Sequence, residues 1–269
     1  MGRRSSRLGL RFAALGYLAV LLALPVGMVF YRTFEKGLAP AWDAVTTPEA
    51  QHAFWLTVIM VAVAVPANTV FGVGTALLLV RRRLPGRSLL SALVDLPFAV
   101  SPVVIGLALI LVYGQSGWFG GWLADHGIRV IFSTPGMILA TIFVSLPFVV
   151  REVVPVLREI GTDQEEAAQT LGASGWQTFW RVTLPAIRWG VTYGVILTTA
   201  RALGEFGAVS VVSGKLEGET QTLTLFVEDR FQNFDLTGAY AASVVLAVLA
   251  VAVIVSMTLL DRRRKEVRD

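Results

Sequence analysis

The chain has 269 residues, of which 55% are hydrophobic and only 16% are charged. An ordinary soluble domain carries about 25% charged residues, so composition favours a polytopic membrane protein. The chain has no cysteine, which excludes disulfides and thiolate metal sites, and two histidines, which exclude a histidine-rich metal centre. A net charge of +4 would suit nucleic-acid binding, but the distribution of the basic residues indicates another role.

Six apolar segments are close to the roughly 20 residues that an α-helix needs to cross a bilayer. They are 12–31, 53–80, 89–113, 134–150, 191–213 and 236–260. The first segment follows several arginines, as in a signal peptide, but no small-residue cleavage site follows it, so we expect a retained helix. Prolines interrupt the second, third and fourth segments, and they fit either a translocation path or simple kinking for packing.

The basic residues predict the orientation of these segments, because cytoplasmic loops are rich in Lys and Arg. Most of the 23 basic residues lie before the first segment, between the second and third, after the fourth, or after the sixth. The sequence therefore predicts an all-α protein with six transmembrane helices and both termini in the cytoplasm. The basic excess is interpreted as a topology signal and a contact with membrane lipid, with no nucleic-acid partner.

The predicted organisation has three parts. Residues 1–52 hold the N-terminal tail, the first transmembrane helix and an outer loop. Residues 53–260 form the membrane core, which includes a cytoplasmic loop at 151–190. Residues 261–269 form a basic cytoplasmic tail.

The loop at 151–190 is the only long polar segment on the predicted inner side, and it has the pattern of a helix–turn–helix. Asp163 and Ser174 have the residue type of helix N-caps, each with Glu or Gln three residues later. Gly172 lies between them, where the residue after a helix end is expected. Pro185 is expected to end the second helix.

Three aromatic residues, Trp176, Phe179 and Trp180, are predicted to gather on the second helix of this loop. They are too many for a solvated segment, so they either pack against the membrane helices or fill a groove on a partner. Helix propensity alone would also explain the Glu-Ala-Ala sequence nearby. The residues by themselves therefore leave an amphipathic connector and a docking element as alternatives.

The spacing Glu-Ala-Ala-x3-Gly-x9-Val-x-Leu-Pro distinguishes these alternatives. Its positions are Glu166, Ala167, Ala168, Gly172, Val182, Leu184 and Pro185. The pattern resembles the EAA motif of ABC importer permeases, with valine in the isoleucine position, and it implies the type I ABC importer permease fold. The resemblance further implies that the first four of these residues belong to a coupling helix that docks on an ATPase. Leu184 and Pro185 would return the chain to the membrane.

A nucleotide-binding loop is absent from the sequence. Ser213, Gly214 and Lys215 look like the end of a P-loop, which needs Gly, four residues and then Gly-Lys-Ser/Thr. Here six residues separate Gly207 from Gly214, and Leu216 takes the Ser/Thr position. We therefore expect a transport subunit that is not itself an enzyme and holds no cofactor or metal. ATP and Mg would be bound by a partner ATPase.

Three ionisable residues fall inside predicted spans, where charge is costly and usually marks a bundle interior or a pathway. Arg201 and Glu205 are four residues apart, so an intrahelical ion pair is favoured over direct substrate binding. Such a pair could also contact a passing oxyanion. Asp95 lies near the inner end of its span and is expected to be solvated. Candidates for the translocation path are Ser101, Pro102, Arg201 and Glu205.

Three further segments sharpen the resemblance. Residues 95–104, 146–152 and 200–209 resemble oxyanion-importer permeases, and most closely the W-type half of the sulfate/thiosulfate permease heterodimer. This resemblance implies the bacterial cytoplasmic membrane as location. It implies as partners a T-type sister permease, two ATPase subunits and an extracytoplasmic sulfate-binding protein. The acidic outer segment 215–235 would contact the binding protein, or would be a solvated loop.

Three alternatives remain beside this interpretation. A molybdate or tungstate permease shares much of the 200–209 segment. An ion-coupled secondary transporter would show intramembrane acids and often an internal repeat, but no clear repeat is visible and Glu205 is the only mid-span carboxylate candidate. A membrane-embedded enzyme would need a catalytic constellation that the sequence lacks.

Overall fold

The computed structural model describes residues 11, 13–82 and 85–266, and these residues form helices and no β-strand. The α-helices in chain order are α1 (Leu24–Phe34), α2 (Leu38–Val45), α3 (Pro48–Arg81), α4 (Arg87–Ala99), α5 (Pro102–Tyr113), α6 (Gly120–Asp125), α7 (Thr134–Ile160), α8 (Asp163–Thr170), α9 (Gly175–Thr178), α10 (Leu184–Leu203), α11 (Gly207–Val212), α12 (Leu223–Gln232) and α13 (Leu236–Glu266). The π-helical segments Ala19–Ala23 and Phe179–Thr183 run directly into α1 and α10. The predicted all-α class is confirmed.

Four of the described helices are long and apolar enough to cross a membrane. They are Ala13–Phe34, Pro48–Arg81, Thr134–Ile160 and Leu236–Val253, and they correspond to the first, second, fourth and sixth predicted segments. The third segment is the pair α4 and α5, bent by 114°, and counting this pair as one span gives up to five. The fifth segment, predicted at 191–213, is divided between α10 and α11. The number of six spans stays a prediction.

The bend between α4 and α5 has a local cause. Ser101 precedes Pro102 and has an extended backbone, with φ −60° and ψ 136°. Val100 is extended as well, with φ −104° and ψ 138°. A residue before proline is disfavoured in the α region, so α4 ends at Ala99. Pro102 then begins α5, at a position where its missing N–H costs nothing.

The centre of the fold is the packing of α3 and α10 on α7. Both approach it at the buried Val149. A Cβ on Gly72 of α3 would lie 2.6 Å from the Val149 Cβ, and a Cβ on Gly194 of α10 would lie 2.8 Å from the Val149 Cα. Small residues allow such close contact between helices, and membrane helix interfaces are enriched in them.

The two longest central helices extend beyond the predicted spans. With 34 residues, α3 is about 51 Å long and exceeds the roughly 30 Å of a bilayer core. Helix α7 continues to Ile160, so the loop predicted at 151–190 begins only at Gly161. The predicted tail at 261–269 begins inside α13. Residues 267–269, like 1–10 and 12, lie outside the described residues.

The end of the inner loop also differs from its prediction. Pro185 does not end the second helix, because α9 continues through the π-helical segment into α10. Proline lacks an N–H, and its ring crowds the carbonyl four residues earlier. Here the Leu184 N–H donates to the Phe179 carbonyl, five residues back. This wider turn carries the helix past the proline.

Candidate functional site

The first candidate site is the inner hairpin, residues 161–183, at the end of the bundle where the basic residues cluster. The N-cap of helix α8 lies one residue earlier than predicted: Thr162 is the N-cap residue and Asp163 is already helical. The Thr162 hydroxyl donates to Glu166 Oε1 at 2.7 Å. Asp163, Glu165 and Glu166 all lie in the first turn, where negative charge is favourable to the helix dipole.

The turn of the inner hairpin follows its predicted geometry. Gly172 comes directly after the helix-ending Leu171 and has φ 85°, a left-handed conformation that glycine adopts without steric cost. The Ala173 N–H donates to the Ala168 carbonyl at 3.0 Å, which closes the end of α8. Ser174 caps α9 in a reciprocal capping box with Gln177, as predicted.

The inner hairpin exposes apolar side chains. Leu171 is 90% exposed and Trp176 is 70% exposed, although both are large hydrophobic residues. Trp176 and Trp180 meet edge to face at 5.5 Å between ring centroids. Phe179 instead packs against the core cluster around α3 and α7. The aromatic group is therefore divided, with Phe179 holding the hairpin to the bundle while the two tryptophans face outward.

The motif residues lie mostly at the surface of the hairpin. Glu166, Ala167 and Gly172 are exposed and Ala168 is half-buried. At the far end of the motif, Leu184 is half-buried against the core and Pro185 is exposed. The exposed Leu171 was missed by sequence reasoning. The available signal was a leucine directly before the turn glycine in a helix that is otherwise polar.

An arginine clamp fixes the inner hairpin to the bundle. From the end of α3, Arg81 donates through Nε to Glu165 Oε2 at 2.9 Å, and through its other nitrogens to the carbonyls of Leu157 and Gly161 at 3.0 and 2.7 Å. The other oxygen of Glu165 accepts from the Thr183 hydroxyl at 2.8 Å. Both charged side chains are largely buried, at 13% and 15% exposure. The clamp joins α3, α7, α8 and the π-helical segment.

The second candidate site, the outer corner, consists of residues 201–208 with Thr224 and lies at the opposite end of α10. The predicted pair is present, with 2.6 Å between Arg201 Nη1 and Glu205 Oε2. Because α10 ends at Leu203, the pair bridges the helix end rather than lying within a helix. Glu205 Oε1 accepts from the Ala208 N–H of α11 at 2.8 Å, and the Glu205 carbonyl accepts from the Thr224 hydroxyl at 2.9 Å.

The other two predicted path residues lie near this corner. A Cβ on Gly207 would be 2.9 Å from the Pro102 Cβ, so the start of α5 touches α11 two residues from Glu205. Ser101 is exposed, and its side chain caps no backbone N–H. The structure thus brings Pro102, Arg201 and Glu205 into one region at the break between helices.

Two other charged regions, the surroundings of Asp95 and the acidic outer segment, differ in part from expectation. Asp95 is near the surface, as predicted, but it has a partner: its Oδ1 lies 3.0 Å from Arg151 Nε, and both side chains are well exposed. On the outer side, Lys215 pairs with Glu228 and Arg230 pairs with Glu217, each at 2.7 Å. The acidic outer segment is therefore partly neutralised by its own basic residues.

Together these features define a class of protein. The chain is an α-helical membrane protein whose described part has four helices, or five with the bent pair, that are long and apolar enough to cross a membrane, and an inner hairpin that presents apolar side chains.

Comparison with known proteins gives the family. Residues 68–266 match the family described as binding-protein-dependent transport system inner membrane component, and the chain belongs to this family. It is 55% identical over 250 residues to the sulfate transport system permease protein CysW of Synechocystis, covering 93% of this chain and 91% of the relative. Identity to CysW of Escherichia coli K12 is 50% over 91% of this chain and 84% of the relative. Identity to the sulfate transport system permease protein CysT of the same organism is 38%, over 92% of this chain and 89% of the relative.

A solved structure shares the fold. The crystal structure of a bacterial alginate ABC transporter in complex with an alginate-pentasaccharide-bound periplasmic protein superposes with a TM-score of 0.80 at 17% identity. The match covers 97% of this chain and 95% of the other. At this identity the likeness supports the type I permease fold alone.

Proposed function

We propose that the chain is the W-type permease subunit of an ATP-driven sulfate/thiosulfate importer of the bacterial cytoplasmic membrane. The observation that carries the proposal is the 55% identity to a CysW protein across 93% of the chain, which includes both the inner hairpin and the outer corner. The weaker identity of 38% to a CysT protein supports a pair of related but different permeases. The sister subunit in this proposal is of the T type.

The inner hairpin is the proposed docking element for the ATPase. Leu171 and Trp176 provide apolar surface with no cover in the described chain, and exposed patches of this kind are typical of interaction sites. Ala167 and Ala168 have short side chains that let a helix approach a cleft closely. Glu166 and Gly172 set the start and the end of that helix.

The arginine clamp gives this docking element a mechanical role. A partner that moves the inner hairpin also moves the ends of α3 and α7, because Arg81 bonds to both the hairpin and α7. From there the close contacts of Gly72 and Gly194 with Val149 extend the connection to α10. The partner subunits bind ATP with Mg and hydrolyse the ATP, so this chain transmits their motion to its membrane helices and catalyses nothing itself.

The outer corner is the proposed contact for the anion in its path. Glu205 uses its carboxylate on Arg201 and on the start of α11, so it presents no unpaired charge to repel sulfate. Arg201 keeps 29% of its side chain exposed, and a guanidinium has five N–H donors in a geometry that suits oxyanions. Ser101 and Pro102 are the neighbouring candidates, at the break between α4 and α5.

Uptake of labelled sulfate by cells with and without this gene, in the presence of the remaining transporter genes, tests the proposal. Loss of uptake on deletion, with competition by unlabelled thiosulfate and none by molybdate, is the expected result. Unchanged sulfate uptake with loss of molybdate transport would instead establish the molybdate or tungstate alternative. Uptake that persists without ATP but collapses with the ion gradient would establish a secondary transporter.

A further inference from the structure

A basic cavity lies between α4 and α7 at their inner ends, beside the arginine clamp, and it shares no residue with either candidate site. Its volume is about 310 Å³, and its polar lining consists of Arg87, Ser91, Asp95, Arg151 and Arg158. Helix α4 supplies the first three and α7 the last two. Three guanidinium groups therefore face one carboxylate within a single space.

The charges in this cavity are unevenly matched. At one end, Arg151 pairs with Asp95 and also lies 4.9 Å above the Phe98 ring, so its charge is compensated. Arg87 of α4 and Arg158 of α7 also line the cavity, each about two helical turns along its own helix from the Asp95–Arg151 pair. Neither of these two forms an ion pair with an acid among the described residues. Two like charges that share a cavity repel each other unless an anion lies between them.

The backbone at the start of α4 also favours an anion in this cavity. Arg87 is the first residue of α4, a helix of 13 residues whose N-cap is Gly86 and carries no side-chain acceptor. The first N–H groups of such a helix have no partner within it, and they attract anions. Charge, donors and space thus converge in the cavity that Arg87 and Arg158 share.

We propose that this cavity, the inner basic pocket, binds a phosphate group, and that the phosphate belongs to an anionic phospholipid. The depth is suitable, because the pocket lies at the inner end of a membrane span. The rest of its lining is apolar and includes Val94, Val150 and Val154, which suits the first carbons of an acyl chain and offers nothing to a free anion. Arginine forks bind phosphate in a bidentate manner, and basic pockets between membrane helices on the cytoplasmic side bind such headgroups.

Native mass spectrometry on the intact transporter tests the pocket. The complex is reconstituted in phosphatidylcholine nanodiscs with or without phosphatidylglycerol, released in mild detergent, and the retained phosphatidylglycerol is counted. The Arg87→Gln/Arg158→Gln double variant is expected to bind phosphatidylglycerol at least about a hundredfold more weakly, because both charge-assisted donors to the phosphate are lost. The control Arg82→Gln/Arg188→Gln removes the same charge from exposed inner positions outside the pocket, and it is expected to retain the lipid.

Two further arms complete the test. Ser91→Phe fills the pocket without changing its charge, and it is expected to lose the lipid while the complex keeps its unfolding temperature. Inorganic phosphate added to the phosphatidylcholine sample identifies a free anion as the source if it raises the unfolding temperature of the wild type and not of the double variant. If lipid occupancy and the response to phosphate are both the same in the double variant and its control, the pocket assignment is overturned.

Discussion

The inner hairpin and the outer corner each depend on a largely buried Arg–Glu pair, but the two pairs have different roles. Arg81 and Glu165 are 84 residues apart and tie an exposed segment to the bundle. Arg201 and Glu205 are four residues apart and hold a helix break that α5 and α12 close over. The first pair orients a surface that still needs a partner. The second stabilises a corner whose carboxylate is buried, while part of the Arg201 side chain stays exposed.

This contrast predicts that substitutions at the two sites have different first effects, on folding at one and on assembly at the other. The outer corner satisfies the Glu205 carboxylate with Arg201 and the Ala208 N–H, and Thr224 of α12 donates to the Glu205 main-chain carbonyl. A substitution there therefore acts on folding first. The inner hairpin leaves Leu171 and Trp176 uncovered, so a substitution there acts on assembly first. Four substitutions test this division, from the largest expected effect on stability to the smallest.

The largest effect is expected for Glu205→Ala. It leaves Arg201 without its partner and removes the acceptor for the Ala208 N–H, and breaking a buried pair costs about 3–5 kcal/mol. The unfolding temperature of the purified chain in detergent should fall by many degrees. Glu217→Ala breaks the more exposed pair with Arg230 and should change it little. Equal behaviour of the two variants would contradict the role assigned to the outer corner.

Arg81→Ala is expected to come next. It removes the clamp and leaves Glu165 buried without its cation, at a cost of about 3 kcal/mol. Because the hairpin is then poorly oriented, ATP hydrolysis by the complex should become less dependent on sulfate, and less sulfate should be carried per ATP in proteoliposomes.

The matched control for the clamp is Arg82→Ala, which removes the neighbouring exposed charge. It should leave the ratio of sulfate to ATP at the wild-type value. A wild-type ratio in Arg81→Ala, at normal assembly, would show that the clamp does not transmit motion.

Gly172→Ala should have a smaller effect of about 1 kcal/mol. A methyl group there meets nothing within 4 Å, so the cost comes from the backbone conformation at φ 85° alone. Co-purification of the ATPase with the variant should decrease. Gly175→Ala adds the same methyl group in open space at a helical position, and co-purification with it should stay normal. A loss of the same size in both would attribute the effect to surface contact rather than to the turn.

Leu171→Ser should leave stability within about 0.5 kcal/mol, since it changes an exposed side chain that supports no core. Its effect should appear only in assembly, as weaker retention of the ATPase at high dilution. Normal retention would remove Leu171 from the docking surface and narrow that surface to the tryptophans.

The features that the sequence predicted are those with local causes. Gly172 and Ser174 act on their own turns, the Arg201–Glu205 pair spans four residues, and the apolar lengths of α3, α7 and α13 are continuous in the chain. The prolines showed that the third span is interrupted. The angle of 114° depends in addition on how α4 and α5 pack against the rest of the bundle.

The features that sequence reasoning missed depend on distant residues or on an unusual helical register. Arg81 was counted only as one of many basic residues, because no spacing rule connects it to Glu165 or Thr183. Pro185 was expected to end a helix, but a π-helical turn carries the chain past it. Arg151 was likewise not recognised as the partner of Asp95, which lies on another helix.

The central claim is that the inner hairpin receives the ATPase, and a cross-link tests it most directly. The chain has no cysteine, so Leu171→Cys introduces a thiol that is unique within the chain, and a photoactivatable maleimide can be attached to it before the ATPase is added. We predict a covalent product with the ATPase subunit after illumination. Trp118→Cys, at an exposed position on the predicted outer side, should give none. Absence of the product from Leu171→Cys in a complex that still contains the ATPase would contradict the account.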